Sequence, residues 1–257
     1  RGSIITPLKD RIASQILTHY PTDVGAAQTI TSAEAWTERD DEVEVEIPNF
    51  IEQLVESIAF HGRKSEFVDQ TSGVSARLSI AARELLHSQV ERRHFTADAG
   101  PVARLIDVGQ LVPALTGKME LVYEGEQEGT VEVARRLMTA ATQEVFDAHF
   151  PDVLNEGREG SEESDRYKPI LDWFASGEKL ELSDTLSDEE YLERLDAIPG
   201  LGAVVDECFA QEKPLHRGAA MELVLDGLHS HSLLAKEDVD RGCAYTDMLG
   251  IMMRGLQ

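Results

Sequence analysis

Residues 73–90, GVSARLSIAARELLHSQV, decide the fold class. Leu78, Ala81, Ala82, Leu85, Leu86 and Val90 recur at the three- and four-residue spacing that lines one face of an α-helix. Ser72-Gly73-Val74-Ser75 forms the entry to that helix. The same period recurs on either side. Upstream, Ile47, Ile51, Leu54, Val55 and Ile58 make a second stripe, with Pro48 suited to a first turn. Downstream, helices are predicted over 131–150 and 167–175. Another opens at Ser187 and Glu190, spaced as a capping box, and two more follow Pro214 and Ala235. Thr31 and Glu34 share the capping-box spacing, which predicts a short helix ending near Arg39. Strand signals are sparse, confined to 14–20, 43–47 and 121–123. The class is mainly α.

A chain of 257 residues holds one large domain or two ordinary ones. No stretch approaches the apolar length of a membrane span, and no secretory segment opens the sequence. Charge is the distinctive quantity: 24 Lys and Arg stand against 48 Asp and Glu, a formal net of −24. A surface of that sign repels phosphate backbones and anionic lipid, which argues against nucleic-acid or membrane-surface binding. The charge is uneven. Residues 1–120 carry 12 basic and 18 acidic side chains, and 121–257 carry 12 and 30. Residues 151–166, PDVLNEGREGSEESDR, have little to bury and read as a solvated linker or loop. Cys208 and Cys243 are too few for a disulfide framework, so a reducing cytoplasm is the default compartment.

Common catalytic motifs are missing from the sequence. Gly117-Lys118 is followed by Met119 and preceded at the required position by Val112, so it is not a phosphate-binding loop. His229 and His231 are two apart, which on a helix turns them away from one another. There is no Gly-x-Ser-x-Gly. Glu124, Glu126 and Glu128 cluster between glycines but lack the alternating ladder of a calcium loop, so they read as a solvated acidic turn. Arg77 stands apart from these. It lies in the first turn of its helix, at the positive end of the dipole, where an acidic residue is the usual choice. An Arg beside first-turn amides attracts a phosphate; the plainer alternatives are an Arg in solvent or a pair with Glu84. Arg11 follows Pro7-Leu8-Lys9-Asp10 on a short helix whose apolar side is Ile4, Ile5, Leu8 and Ile12.

Taken together, the two arginine segments resemble a known family. RGSIITPLKDRI, residues 1–12, resembles the segment after sensor 1 in AAA+ ATPases of the magnesium-chelatase/MoxR group, and Gly73-Val74-Ser75-Ala76-Arg77-Leu78 resembles their sensor 2 motif. ITPLKDRIASQILTHYP (5–21), VDQTSGVSARL (68–78) and LTGKMELVYEGEQEG (115–129) resemble the magnesium-chelatase-like, sigma-54-interacting branch. Residues 167–177, 187–201 and 221–228 match more loosely. Ile12 and Lys9 depart from the family pattern, which has Phe and an apolar residue there.

The resemblance implies an architecture of three parts. Residues 1–46 would be the last piece of an AAA+ core, 47–118 a helical lid, and 119–257 an acidic helical C-terminal region with a linker at about 152–166. It also implies roles: Arg11 as an arginine finger reaching the γ-phosphate held by a neighbouring subunit, and Arg77 as sensor 2. The cofactor would be ATP with Mg2+ in the intact parent, whose Walker A, Walker B and sensor 1 residues are expected upstream of Arg1, so the chain alone should not hydrolyse ATP. The expected partners, by family analogy, are further copies in a hexameric ring and a von Willebrand A-type protein. A non-catalytic acidic helical adaptor is the alternative in a different class.

Overall fold

The computed structural model describes residues 6–14, 16–39, 43–153, 166–209 and 213–248. The elements run α1 (Thr6–Lys9), α2 (Val24–Glu34), α3 (Asn49–Gly62), α4 (Arg77–Thr96), α5 (Leu105–Gly109), α6 (Val112–Thr116), α7 (Tyr123–Glu128), α8 (Thr130–His149) and α9 (Lys168–Ala175). Then come β1 (Leu180–Ser183), α10 (Asp188–Asp196), α11 (Leu201–Cys208), α12 (Arg217–Ser230), β2 (Leu234–Val239) and β3 (Gly242–Asp247). The protein is mainly α. No described helix is long and apolar enough to cross a membrane.

The long helices follow their apolar stripes. α3 buries Phe50, Ile51, Leu54, Val55 and Ile58, and its start is set by Pro48, whose carbonyl accepts from Ile51 and Glu52 N–H. α4 buries Leu78, Ala82, Leu86 and Val90. α3 packs on α8, and α8 packs on α12. α8 and α12 approach closely because position 227 is glycine: a Cβ there would lie 2.2 Å from the Phe146 ring. One hydrophobic cluster runs from Phe50 through Phe146 and Leu223 to Tyr245, so the described parts of 47–118 and 119–248 share a core. α10 begins with a complete capping box: Ser187 Oγ accepts from Glu190 N–H at 3.2 Å, and Glu190 accepts from Ser187 N–H at 3.0 Å.

Several local expectations need correction. Thr31 and Glu34 do not open a helix; they form the last turn of α2, because Asp23 caps that helix eight residues earlier by accepting from Ala26 N–H at 2.8 Å. Residues 35–39 are not helical. The segment after Ala235 is a hairpin, not a helix. β2 and β3 pair antiparallel with Lys236 opposite Tyr245, and β1 joins the far edge of β3 with Leu182 opposite Cys243. The three predicted strands lack partners long enough to make them. Glu46 forms a single bridge to Val102 and Leu121 one to Val68, while α7 starts at Tyr123. The described residues of 14–20 form no strand, and Ile16 and Leu17 are 85% and 83% exposed.

Candidate functional site

The loop ahead of α4 is built by Asp69. Its Oδ1 accepts from Thr71 N–H and Oγ1, each at 2.7 Å, which also holds its carboxyl below the usual carboxylate range. Its backbone carbonyl accepts from Gly73 N–H at 2.8 Å, closing the turn. Gly73 has φ +71°, a left-handed conformation that a side chain opposes, and any Cβ would lie 2.7 Å from the Tyr20 hydroxyl. Val74, next in line, is fully buried and pins the loop to the core.

Arg77 is the first residue of α4, and its side chain is exposed. That side chain makes no hydrogen bond or ion pair among the described residues. Glu84, the one nearby carboxylate considered as a partner, instead accepts from Trp36 N–H at 3.0 Å. The amides of the first turn are less available than the sequence suggests. Ser75 takes two of them: its hydroxyl accepts from Arg77 N–H at 3.2 Å and its carbonyl from Leu78 N–H at 2.9 Å. The attraction for an anion therefore resides in the Arg77 guanidinium more than in the helix terminus.

Arg11 follows α1 and is exposed, with its own N–H bonded to the Leu8 carbonyl and no side-chain partner among the described residues. Tyr20 connects this N-terminal stretch to the Gly73 turn. Its ring covers the Arg63 guanidinium at 4.4 Å, and Phe60 lies 5.3 Å from that guanidinium. Burial lowers the Arg63 pKa, and its Nε and Nη1 are buried without hydrogen-bond acceptors. Tyr20 thus links Arg63, which sequence reading missed, to the Gly73 turn, while no contact joins Arg11 to Arg77 among the described residues.

The other end of α4 has a different character. Arg93 is fully buried and forks onto Asp107, Nε to Oδ1 at 3.2 Å and Nη2 to Oδ2 at 2.9 Å, while also donating to the carbonyls of Gly100 and Val102. Arg104 donates to the Leu186 carbonyl and to Asp188, and stacks on Tyr191 at 4.1 Å. Tyr191 donates at 2.8 Å to Glu222, which also accepts from Leu105 N–H at 3.1 Å. One turn further along α12, Asp226 accepts from Lys236 and Tyr245, each at 2.6 Å.

Burial dominates the electrostatics of this chain of contacts. It pushes the Glu222 carboxyl up to about 7, helped by Asp226 and opposed by Lys236 and the Tyr191 hydrogen bond. Burial opposes the charge on Lys236, but Asp226, Cys243 and Glu222 outweigh it and hold the ammonium above its ordinary value. The Cys243 thiol is pushed up to about 12 by burial, which makes it inert at neutral pH. His229 and His231 serve separate contacts, with the Leu234 carbonyl and with Asp147. Among the described residues no group of three or more His, Cys, Asp or Glu is arranged to hold a metal ion.

Compared with protein-family models, with curated proteins and with solved structures, the chain finds no match. The functional reading therefore stands on the residues and their geometry.

Proposed function

We propose that this chain is the arginine-finger, sensor 2 and lid portion of a magnesium-chelatase/MoxR-like AAA+ ATPase, a cytoplasmic ring that couples ATP binding and hydrolysis to remodelling of a partner protein. The observation that carries the reading is Arg77. A solvent-facing guanidinium without an acidic partner among the described residues stands at the start of a 20-residue helix, in a chain of net charge −24. That arrangement suits a group whose partner is a ligand phosphate. ATP supplies the anhydride whose cleavage drives such a ring. The chain's own contribution is positive charge, from Arg77 in the lid and from Arg11 toward a neighbouring subunit. The exposed Ile16 and Leu17 also support the reading, since apolar side chains this open are suited to packing against a further sheet strand. A von Willebrand A-type domain is the partner class that the family reading brings.

The test is made in the protein that joins this chain to a phosphate-binding loop. Arg11→Ala abolishes turnover and leaves ATP binding intact, whereas Arg77→Ala weakens nucleotide affinity or uncouples binding from turnover. Undiminished hydrolysis in Arg11→Ala overturns the finger assignment. Unchanged affinity and rate in Arg77→Ala overturn sensor 2.

A further inference from the structure

A second cluster of arginines lies away from Arg77. Arg92 from α4, Arg135 from α8, Lys236 from β2 and Arg241 from the β2–β3 turn line one open cleft of about 640 Å3. The carboxylates in its lining are Asp184 and Asp238, so four cations face two anions. This local excess of positive charge occurs in a protein with twice as many acidic as basic residues.

Asp184 organises the cleft. Its side chain is 5% exposed, and it pairs with two guanidiniums: Arg92 Nη2 donates to Oδ2 at 2.6 Å, while Arg241 Nε lies 2.9 Å from Oδ1 as a charge contact without hydrogen-bond alignment. Arg92 Nε donates to Gln89. Among the described residues, Arg92 Nη1 and both Nη groups of Arg241 have no acceptor, so one carboxylate positions donors that it does not satisfy. Arg135 adds a half-exposed guanidinium paired with Asp238 at 2.6 Å. Lys236 is committed to Asp226.

The backbone gives an independent sign. Arg241 has φ +57°, in a two-residue turn between the paired Val239 and Gly242. Glycine or asparagine is the usual occupant of that conformation, and an arginine there is held against its backbone preference. Leu105, Ile106 and Val112 provide an apolar wall. An adjoining cleft of about 700 Å3 shares Arg135, Lys236 and Asp238, and adds three acids, Glu132, Asp226 and Glu237, against one further base, Arg136, so the positive end lies at Arg92 and Arg241.

We propose that this cleft binds a phosphate monoester of a small organic molecule. The phosphate sits between Arg92 and Arg241, and the organic body lies along Leu105 and Val112. A monoester carries about −1.5 to −2 at neutral pH, and with Lys236 balanced by Asp226 the three arginines exceed Asp184 and Asp238 by one positive charge that only a ligand can offset. The combined space suits a ligand of metabolite size. This inference does not depend on the role of Arg77.

The experiment is calorimetric titration of the chain with phenyl phosphate, glycerol phosphate and inorganic phosphate, with melting curves for each variant. The expected result is that a monoester binds more tightly than inorganic phosphate. Arg92→Gln and Arg241→Asn, the latter tolerant of the left-handed backbone, each weaken binding about tenfold or more. Lys118→Ala, which removes an exposed cation outside the cleft lining, leaves binding unchanged. Should either cleft variant fail to melt cooperatively, Arg135→Gln, at a half-exposed position, replaces it and weakens binding about threefold or more. The proposal is overturned if no monoester binds, if binding is indifferent to the cleft substitutions, or if a phosphoserine peptide binds where the small monoesters do not.

Discussion

The two ends of α4 use the same residue type for opposite purposes. Arg93, near its C-terminus, is fully buried and donates to a carboxylate and two carbonyls. Arg77, at its N-terminus, is exposed and makes no side-chain hydrogen bond or ion pair among the described residues. Removing a guanidinium from water is costly unless acceptors replace the lost hydration, and Asp107, Gly100 and Val102 replace it at one end only. A buried arginine is part of the architecture, while an open one remains available to a ligand. The same contrast separates the N-terminal stretch, with Ile16 and Leu17 open to solvent, from the closed core between Phe50 and Tyr245.

This contrast is broken most directly by Asp107→Ala. It leaves Arg93 charged and buried without its carboxylate, and should cost about 3–5 kcal/mol of stability in urea denaturation. A loss below about 1 kcal/mol means that water reaches Arg93 and that the end is not closed.

Next in size is the effect of pH on Glu222. Its folded-state pKa is raised from 4.5 to about 7, so the folded protein holds a proton that the unfolded chain releases. The contribution is fully present below about pH 4.5 and is lost as pH rises through 7, a change of about 3 kcal/mol. Glu222→Gln removes this dependence. The stability difference between variant and wild type should therefore shift in favour of the variant from pH 5 to pH 8. A constant difference contradicts the burial argument.

Gly73→Ala sharpens the other end. The left-handed backbone and the nearby Tyr20 hydroxyl together should cost about 1–2 kcal/mol, read from the shift in the denaturation midpoint. The smallest effect is expected for Arg77→Ala. Its melting temperature should stay within about 1–2 °C of wild type, since an exposed side chain without partners contributes little to folding. A larger drop would mean that Arg77 is structural, and it would remove the main support for the sensor role.

Much of the helical frame was legible in the sequence because its causes are local. The stripes in α3, α4 and α8 and the Ser187–Glu190 box act within a few turns. The hairpin was not legible. Ala235, Lys236, Glu237 and Asp238 carry no strand pattern, and they extend only because β3 pairs with them and with β1, more than fifty residues earlier. The Thr31–Glu34 spacing misled for a related reason: the motif is short, and a stronger cap at Asp23 overrides it. Arg77 stood out from its position on a dipole. Arg63, Arg92 and Arg241 did not, because Tyr20 defines the surroundings of the first and Asp184 those of the other two, from far along the chain.

The anchored end of α4 gives the helix a mechanical meaning. A helix rises 1.5 Å per residue, so Arg77 stands about 24 Å along the axis from Arg93. Arg93 is clamped by Asp107 and the backbone beyond it, and Val74 and Leu78 are buried at the other end, so both ends of α4 are tied to the core. The Arg77 guanidinium therefore reaches for a ligand by its own side-chain torsions, from a base that the rest of the helix holds still.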